Sequence, residues 1–298
     1  MYKNGIYGAV IGDICGSKME VDEIRNRKNP PNLPARRVVL KDDYKLFQDD
    51  MFYTDDTILT VALCDALQND KNFENYIRKY GIKEIISIKE GERNKFGQKF
   101  TEWCKGSDFR ESFGNGCGMR ISPIGFNASS IAELEEDVNK ATICTHNHPD
   151  SIKCAMAVAK AIYHAKNGAS KNEILAVVER TLGQKLDYNL EELQNNYTFT
   201  AKAMESIPQA IFCFLKADNF EETIKLALSI GGDTDTNAAI AGSVAGAFYG
   251  ISDELVAKAK KYLSNEYALV LEKANEIFND KNNSNELMWG KNGNIKRR

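Results

Sequence analysis

Apolar residues recur at three- and four-residue intervals through most of the chain, the spacing that lays one face of a helix against a core. Ile58 to Leu67 shows this pattern behind an acidic start. Ser130 to Cys144, Asp150 to Lys166, Lys171 to Leu182 and Ala203 to Lys216 repeat it, as do Phe220 to Ile230, Asp253 to Leu263 and Glu266 to Phe278. Sustained apolar–polar alternation is scarce, and so are Asn-Gly hairpin signals between β-rich runs. The pattern predicts an all-α fold: a single domain of many helices over residues 1–280, then a basic, flexible tail over 281–298. Two stretches break the periodicity. Asn26 to Asp50 holds Pro30, Pro31 and Pro34 among many charges, and is expected to be a long functional loop, a lid or an acceptor contact. Lys281 to Arg298 is rich in Asn, Gly and basic residues, and its Lys296-Arg297-Arg298 end reads as solvated.

Glycines add a second pattern. Gly8, Gly12 and Gly16 recur every four residues, and so do Gly242, Gly246 and Gly250. A glycine inside a helix costs about 1 kcal/mol relative to alanine, so six of them need a reason. On helices each set makes a smooth stripe where another backbone can come close. Both helices are therefore expected to be central and tightly packed.

Composition narrows the class. A chain of 298 residues can bury a full core, and 43% hydrophobic with 27% charged residues is ordinary for a globular protein. A net charge of −3 leaves no global basic footprint for nucleic acid. The apolar run from Ala238 to Ile251 is shorter than the ~20 residues a membrane span needs, and the first residues show no apolar signal core. The seven cysteines are scattered, odd in number and without a Cys-x-x-Cys, which speaks against disulfides or a zinc ribbon and for a reducing cytoplasm.

Five segments carry candidate chemistry. Thr54-Asp55-Asp56-Thr57 and Gly231-Gly232-Asp233-Thr234-Asp235-Thr236 each stand directly before an apolar helical run. Either alone reads as a helix cap with acids favouring the dipole. Together they offer four carboxylates and threonine hydroxyls at two helix starts. If those starts face each other, cations must offset the repulsion. All-oxygen ligands suit Mg²⁺ or Mn²⁺, and a pair of such ions is the usual two-metal arrangement. Gly231-Gly232 would permit the tight turn of approach. Glu20 stands just beyond the first glycine helix, entering a loop, either as a solvated side chain or as a proton relay. Gly114-Asn115-Gly116-Cys117-Gly118-Met119-Arg120 places three glycines in five residues, which frees backbone N–H groups for a phosphate cradle. Arg120 either adds charge there or pairs in the core. The segment is neither a Rossmann fingerprint nor a P-loop. Thr145-His146-Asn147-His148-Pro149-Asp150 lacks the adjacent His-Asp pair of an HD-type phosphohydrolase, because Pro149 interrupts it. His146 reads as a polar ligand contact and Asp150 as the cap of the next helix.

In this order, the elements resemble the ADP-ribosylglycohydrolase family. The resemblance rests on Gly8-Ala9 through Glu20, Thr54 to Thr57, Gly114 to Arg120, Thr145-His146, Glu205-Ser206-Ile207-Pro208 with Ala210-Ile211, and Gly231 to Gly250. It implies a single-domain, all-α orthogonal bundle with a cleft for two divalent cations, Mg²⁺ or Mn²⁺. By motif position it implies Thr54, Asp55, Asp56, Asp233, Asp235 and Thr236 as metal ligands, and Glu20 as the glutamate of a mobile flap. It likewise implies Gly114, Asn115, Gly116, Cys117, Gly118 and Met119 as the diphosphate and ribose loop, with His146 as a ligand contact. The implied reaction is hydrolysis of the α-glycosidic C1″ bond of ADP-ribose on a protein side chain or small-molecule acceptor, with Glu20 or Asp56 handling the proton. Cys117-Gly118 stands where relatives often carry Gly or Ser followed by Ala. The motifs lie nearer the branch that acts on O-linked ADP-ribose, including serine. The expected partner is an ADP-ribosylated protein or small molecule, with no nucleic acid and no membrane, and the expected state is a monomer. A catalytically silent ADP-ribose binder, a structural member of the family and a two-metal hydrolase of another nucleotide are the competing readings.

Overall fold

The computed structural model describes residues 3–26, 40, 43–90 and 94–291, with side chains described to residue 280 and, in the first helix, to residue 20. Most of the Asn26–Asp50 loop and the last seven residues lie outside that range. Fifteen helices are present among the described residues. The first half holds α1 (Tyr7–Asn26), α2 (Asp55–Leu67), α3 (Phe73–Ser87), α4 (Gln98–Cys104), α5 (Gly116–Met119), α6 (Ser122–Asn127) and α7 (Ile131–Ile143). The second holds α8 (Pro149–Lys166), α9 (Lys171–Leu182), α10 (Leu190–Asn196), α11 (Ala203–Lys216), α12 (Phe220–Ser229), α13 (Thr234–Tyr249), α14 (Asp253–Lys260) and α15 (Asn265–Lys291). Strand-like pairing among the described residues is confined to two isolated bridges, Glu111 with His146 and Gly114 with Lys202. The all-α expectation holds.

At the centre α1 lies against α13, glycine stripe to glycine stripe. A Cβ at Gly8 would sit 2.1 Å from the Gly242 carbonyl oxygen, and one at Gly12 would sit 2.0 Å from that of Ala238. From the other side, a Cβ at Gly242 would lie 2.4 Å from Gly8 O, and one at Gly246 would lie 2.5 Å from Gly5 O. Real Cβ atoms cannot come that close, so these glycines allow backbone-to-backbone packing. Gly250 has a different role: it ends α13 at φ +73°. The remaining faces of α13 pack on α8, α11 and α12, and every residue from Thr234 to Ala247 is buried. The hydrophobic cluster is continuous from α1 to α15.

Five helices escape a reading of periodicity, each for a local reason. α3 carries Gly81 in the middle of its apolar face, where the missing Cβ makes room for Cys104 Sγ and the Phe100 ring of α4. All of α6 is buried, so it has no polar face to set a period. α4, α5 and α10 span only four to seven residues. Two boundaries also move. α1 continues past Ser17 to Asn26, so Glu20 belongs to a helix rather than to a loop. α15 continues past Phe278 to Lys291, which makes the first part of the expected tail helical backbone.

All seven cysteines are free and buried. No described helix is long and apolar enough to cross a membrane. Gly12→Ala is expected to destabilise the fold by roughly 2–3 kcal/mol or more, because backbone rather than a flexible side chain must yield. Gly97→Ala, with nothing within 4 Å of the added carbon, should cost little. Urea unfolding of the two variants makes the comparison.

Candidate active site

Two helix starts meet where α1 passes between them. Thr54 precedes α2 and its hydroxyl accepts from Asp56 N at 3.3 Å, so the cap role read from the sequence is real. A second acceptor does more of that work. Asp13, fully buried on α1, takes Thr54 N at 2.9 Å, Thr54 Oγ1 at 2.8 Å and Thr57 N at 3.0 Å. By satisfying the orphan donors of α2, Asp13 releases Asp55 and Asp56 from capping. Sequence reading missed Asp13 because it sits unremarkably after Gly12. Its only signal was an acid on the buried glycine face.

The opposing start is α13. Gly231 and Gly232 both adopt left-handed φ, +74° and +75°, and a Cβ at Gly232 would press on the Tyr197 ring at 2.5 Å. The turn delivers Asp233 and Asp235 onto α2. Asp233 makes no capping bond to its own helix; its Oδ2 accepts from Asn115 Nδ2 at 2.8 Å. Thr234 Oγ1 donates to Gly16 O at 2.9 Å, tying the turn to α1. Thr236 Oγ1 reaches Asp56 Oδ2 at 3.4 Å, so the two acidic motifs are in contact.

The carboxylates form two adjoining groups. Asp13, Asp56 and Asp235 each bring an oxygen within 4.8 Å of the others, and Glu20, Asp233 and Asp235 do the same, with Asp235 common to both. Asp56 Oδ1 is buried without a hydrogen-bond partner. An orphaned carboxylate oxygen in such a place is costly unless something binds it. The residues therefore fit hard divalent cations: the donors are all oxygen, two groups share one bridging carboxylate, and one buried oxygen is uncommitted.

Protonation reports the same crowding. Burial first, then the charges of Asp13, Asp55 and Asp233, raise Asp56 well above the ordinary carboxylate range. Burial, then Asp233, Glu20, Asp56 and Asp13, raise Asp235 likewise. Asp55 keeps an edge on the cavity, and burial followed by Asp13, Asp233 and Glu20 pushes it up to about 8. Burial also raises Asp13, against the hydrogen bonds from Thr54 and Thr57.

Beside the carboxylates opens a cavity of about 650 Å³, lined by Glu20, Asp55, Asp56, Asn115, His146, Asp233, Asp235 and Thr236. Phe96, Phe100, Trp103 and Phe109 also line it. The glycine segment is clamped in place. Asn115 N donates to Ala201 O at 2.7 Å, Ala203 N to Phe113 O at 2.9 Å, and Asn147 N to Arg110 O at 2.6 Å. This corrects the picture of a freely placed N–H cradle. The Asn115 N–H is spent on Ala201, and those of Gly118 and Met119 on Asn115 O. Gly114, Asn115, Gly116 and Met119 line the cavity, but Cys117 and Gly118 turn into the core. Cys117 Sγ bonds Gly114 O, and the absent Cβ of Gly118 makes room for Ile207 Cδ1. Thr54 is buried behind Asp56 and bonded to Asp13.

The histidine segment also sorts itself. His146 lines the cavity, whereas His148 caps α8 by accepting Asp150 N at 3.2 Å. The cap is therefore His148 and not Asp150. Arg120 is fully buried, and its Nη2 bonds go to Ala141 O and Thr145 Oγ1 rather than to a core carboxylate.

A helical bundle carrying two linked carboxylate groups under a large cavity is built for hydrolytic chemistry on a sizeable polar ligand. The sequence matches the ADP-ribosylglycohydrolase family over residues 2–285, and the chain belongs to that family, a class of glycosidic hydrolases. It is 23% identical to ADP-ribosylhydrolase ARH3 of Mus musculus over 319 aligned residues, covering 84% of each chain. It is 26% identical to ADP-ribosylarginine hydrolase Tri1 of Pseudomonas putida (strain GB-1), covering 84% of this chain and 71% of that one. A solved ADP-ribosylglycohydrolase-related protein complex shares the fold, with a TM-score of 0.66 at 20% identity over 91% of this chain and 96% of that one.

The raised carboxylates give a signed expectation for the metal-free protein. Their folded pKa values exceed the unfolded ones, so the stability they contribute is complete at low pH and is lost as pH rises above about 4, in the case of Asp55 through about 8. Calorimetry of EDTA-treated protein should show Tm falling across that window, with Mg²⁺ restoring more of it at the alkaline end. A Tm indifferent to both pH and Mg²⁺ would mean that these carboxylates are not held together as described.

Proposed function

We propose that the chain hydrolyses the α-glycosidic C1″ bond of ADP-ribose attached to a protein side chain or a small-molecule acceptor, with O-linked ADP-ribose the first acceptor class, and that it works with two divalent cations, Mg²⁺ or Mn²⁺. The observation that carries this reading is the pair of three-carboxylate groups sharing Asp235 at the floor of the cavity. Asp55, Asp56, Asp233 and Asp235, with the hydroxyls of Thr54 and Thr236, would hold the cations, and Asp13 and Glu20 stand beside them. Bound there, such cations supply Lewis acidity, a template for sugar hydroxyls and a lowered pKa for water.

The chain's own residues do the rest. Asn115 bonds Asp233 from the glycine segment and so couples the ligand loop to the acidic floor. His146, kept neutral by burial and the nearby Arg120 charge, can donate to a ligand oxygen. Aromatic residues in the cavity lining, Phe100 and Phe109 among them, would give a nucleobase apolar contact, and 650 Å³ lies within the range of small-ligand sites. Glycosidic cleavage passes through an oxocarbenium-like state and needs a proton at the leaving oxygen. Between the two candidates, Glu20 suits the proton role better. It is partly exposed at the cavity and can exchange protons with solvent, whereas Asp56 is 2% exposed and has an oxygen free for a cation. The lean of the motif set as a whole toward the O-linkage branch supports the acceptor class.

The test is release of free ADP-ribose from serine- and arginine-linked substrates with Mg²⁺, Mn²⁺ or EDTA. Metal-dependent release from the serine linkage, abolished by Asp55→Ala and by Asp235→Ala, is the expected result. Release unaffected by EDTA and by both substitutions would remove the two-cation reading. Asp13→Asn should weaken divalent-cation binding by roughly 10–100-fold, the usual cost of losing an outer-shell partner. Calorimetric Mn²⁺ titration of the variant reads that directly.

A further inference from the structure

His146 has two ring nitrogens, and which one carries the proton decides whether it can donate to a ligand or only accept. The surrounding bonds bear on this. Arg120 Nη2 has two hydrogens and spends both, one on Ala141 O at 3.0 Å and one on Thr145 Oγ1 at 2.7 Å. A guanidinium has no acceptor, so the Thr145 oxygen must be the acceptor in that pair. The hydroxyl keeps one hydrogen and one further lone pair, and His146 Nδ1 lies 2.7 Å from it. If the hydroxyl donates there, Nδ1 is the acceptor and the proton of the neutral ring sits on Nε2.

Nε2 faces the glycine segment. A Cβ placed on Gly116 would lie 3.3 Å from it, and one on Gly114 would lie 3.6 Å away. The two glycines thus keep the donor uncovered where the cavity begins, and His146 itself is only 8% exposed. Burial and the Arg120 charge both disfavour the imidazolium, so the ring stays neutral. Arg120 is anchored, at 0% exposure, and its Nε and Nη1 have no partner. It therefore remains a source of positive potential toward the same side of the site.

We infer that Arg120 and Thr145 are positioning residues whose hydrogen-bond relay fixes His146 as the neutral Nε2–H tautomer, a one-way donor aimed at a phosphate or ribose oxygen of the ligand. The inference rests on the ADP-ribosyl reading only for the identity of that oxygen. The tautomer is a property of the ligand-free protein. A donor-only histidine selects a lone-pair oxygen and offers nothing to a ligand N–H at that position. Asn147→Asp or changes at His148 would leave the relay intact, since neither residue takes part in it.

Nitrogen-15 NMR of the ring nitrogens tests the relay. The chain has three histidines, so His148→Gln and His164→Gln assign the His146 signals by elimination. The expected spectrum shows an unprotonated Nδ1 and a protonated Nε2. Thr145→Val removes the hydroxyl while keeping its shape and should shift His146 toward a mixture of tautomers. It should also weaken binding of free ADP-ribose about tenfold, the order of one hydrogen bond. Thr145→Ser should restore both the spectrum and the affinity. A proton on Nδ1 in the native protein, or a Thr145→Val spectrum identical to the native one, overturns the relay. If Thr145→Val does not fold, the native and Thr145→Ser spectra still decide. Failure of the ADP-ribosyl reading would appear separately, as absence of ADP-ribose release and binding by the native protein whose His146 spectrum nonetheless shows the Nε2–H form.

Discussion

Backbone contact between α1 and α13 sets the spacing on which the whole site depends. Where Gly8 meets Gly242 and Gly12 meets Ala238, no side chain separates the helices, and a single added carbon would fall 2.0–2.1 Å from a carbonyl oxygen. The same stripe runs into the active site. Gly16 lies against Asp235, and its carbonyl accepts from Thr234 Oγ1. Asp13 follows Gly12 on the helix and caps α2 from the side. A looser helix pair, separated by alanine or valine side chains, would part Asp13 from Asp235 and divide the carboxylate cluster. The glycines are therefore as much part of the catalytic apparatus as the acids, although none of the stripe touches the ligand cavity.

That close packing gathers like charges, which the fold alone does not favour. Burial raises Asp13, and burial with mutual repulsion raises Asp55, Asp56 and Asp235, above their ordinary range. The protein tolerates this because capping and cross-element bonds hold the carboxylates in place, Asp13 by both of its oxygens. Asp13 is tied to α2, Asp233 to Asn115, and Asp235 Oδ1 to Thr236 N. Asp56 Oδ1 is left buried without a hydrogen-bond partner. The protein's own bonds thus hold the carboxylates in place, which would leave little ordering cost for a cation. On the ligand side, the clamp of residues 110–115 between 146–147 and 201–203 and the Arg120–Thr145–His146 relay provide the same rigidity for neutral donors.

Much of this was legible one residue at a time. The acids before Ile58 and before Asn237, the Gly231-Gly232 turn and both glycine stripes are local patterns with local physical meaning. Each held in the structure, apart from Gly250, which closes a helix. Helices with one polar face, such as Lys171 to Leu182 and Ala203 to Lys216, were legible to the residue. Fully buried or very short ones, such as α6 and α5, were not, because periodicity requires a solvent side and several turns to show. In the glycine segment, composition promised free N–H groups, but partners from Ala201 and from Asn115 itself had claimed several of them.

The amino-acid sequence by itself determined the helical class, the stripe that forces two helices together and most of the acidic residues that meet at the cavity, since these depend on side-chain type and short-range spacing. Tertiary structure alone decided the rest. It showed that Asp13 belongs with Asp56 and Asp235, that Glu20 reaches the acids from within a helix, and that Cys117 and Gly118 face the core. It also showed that His146 and not His148 faces the cavity. Each of these is a matter of which face of an element meets which neighbour across many tens of residues, and hydrogen-bond direction and contact distance exist only once those elements are packed.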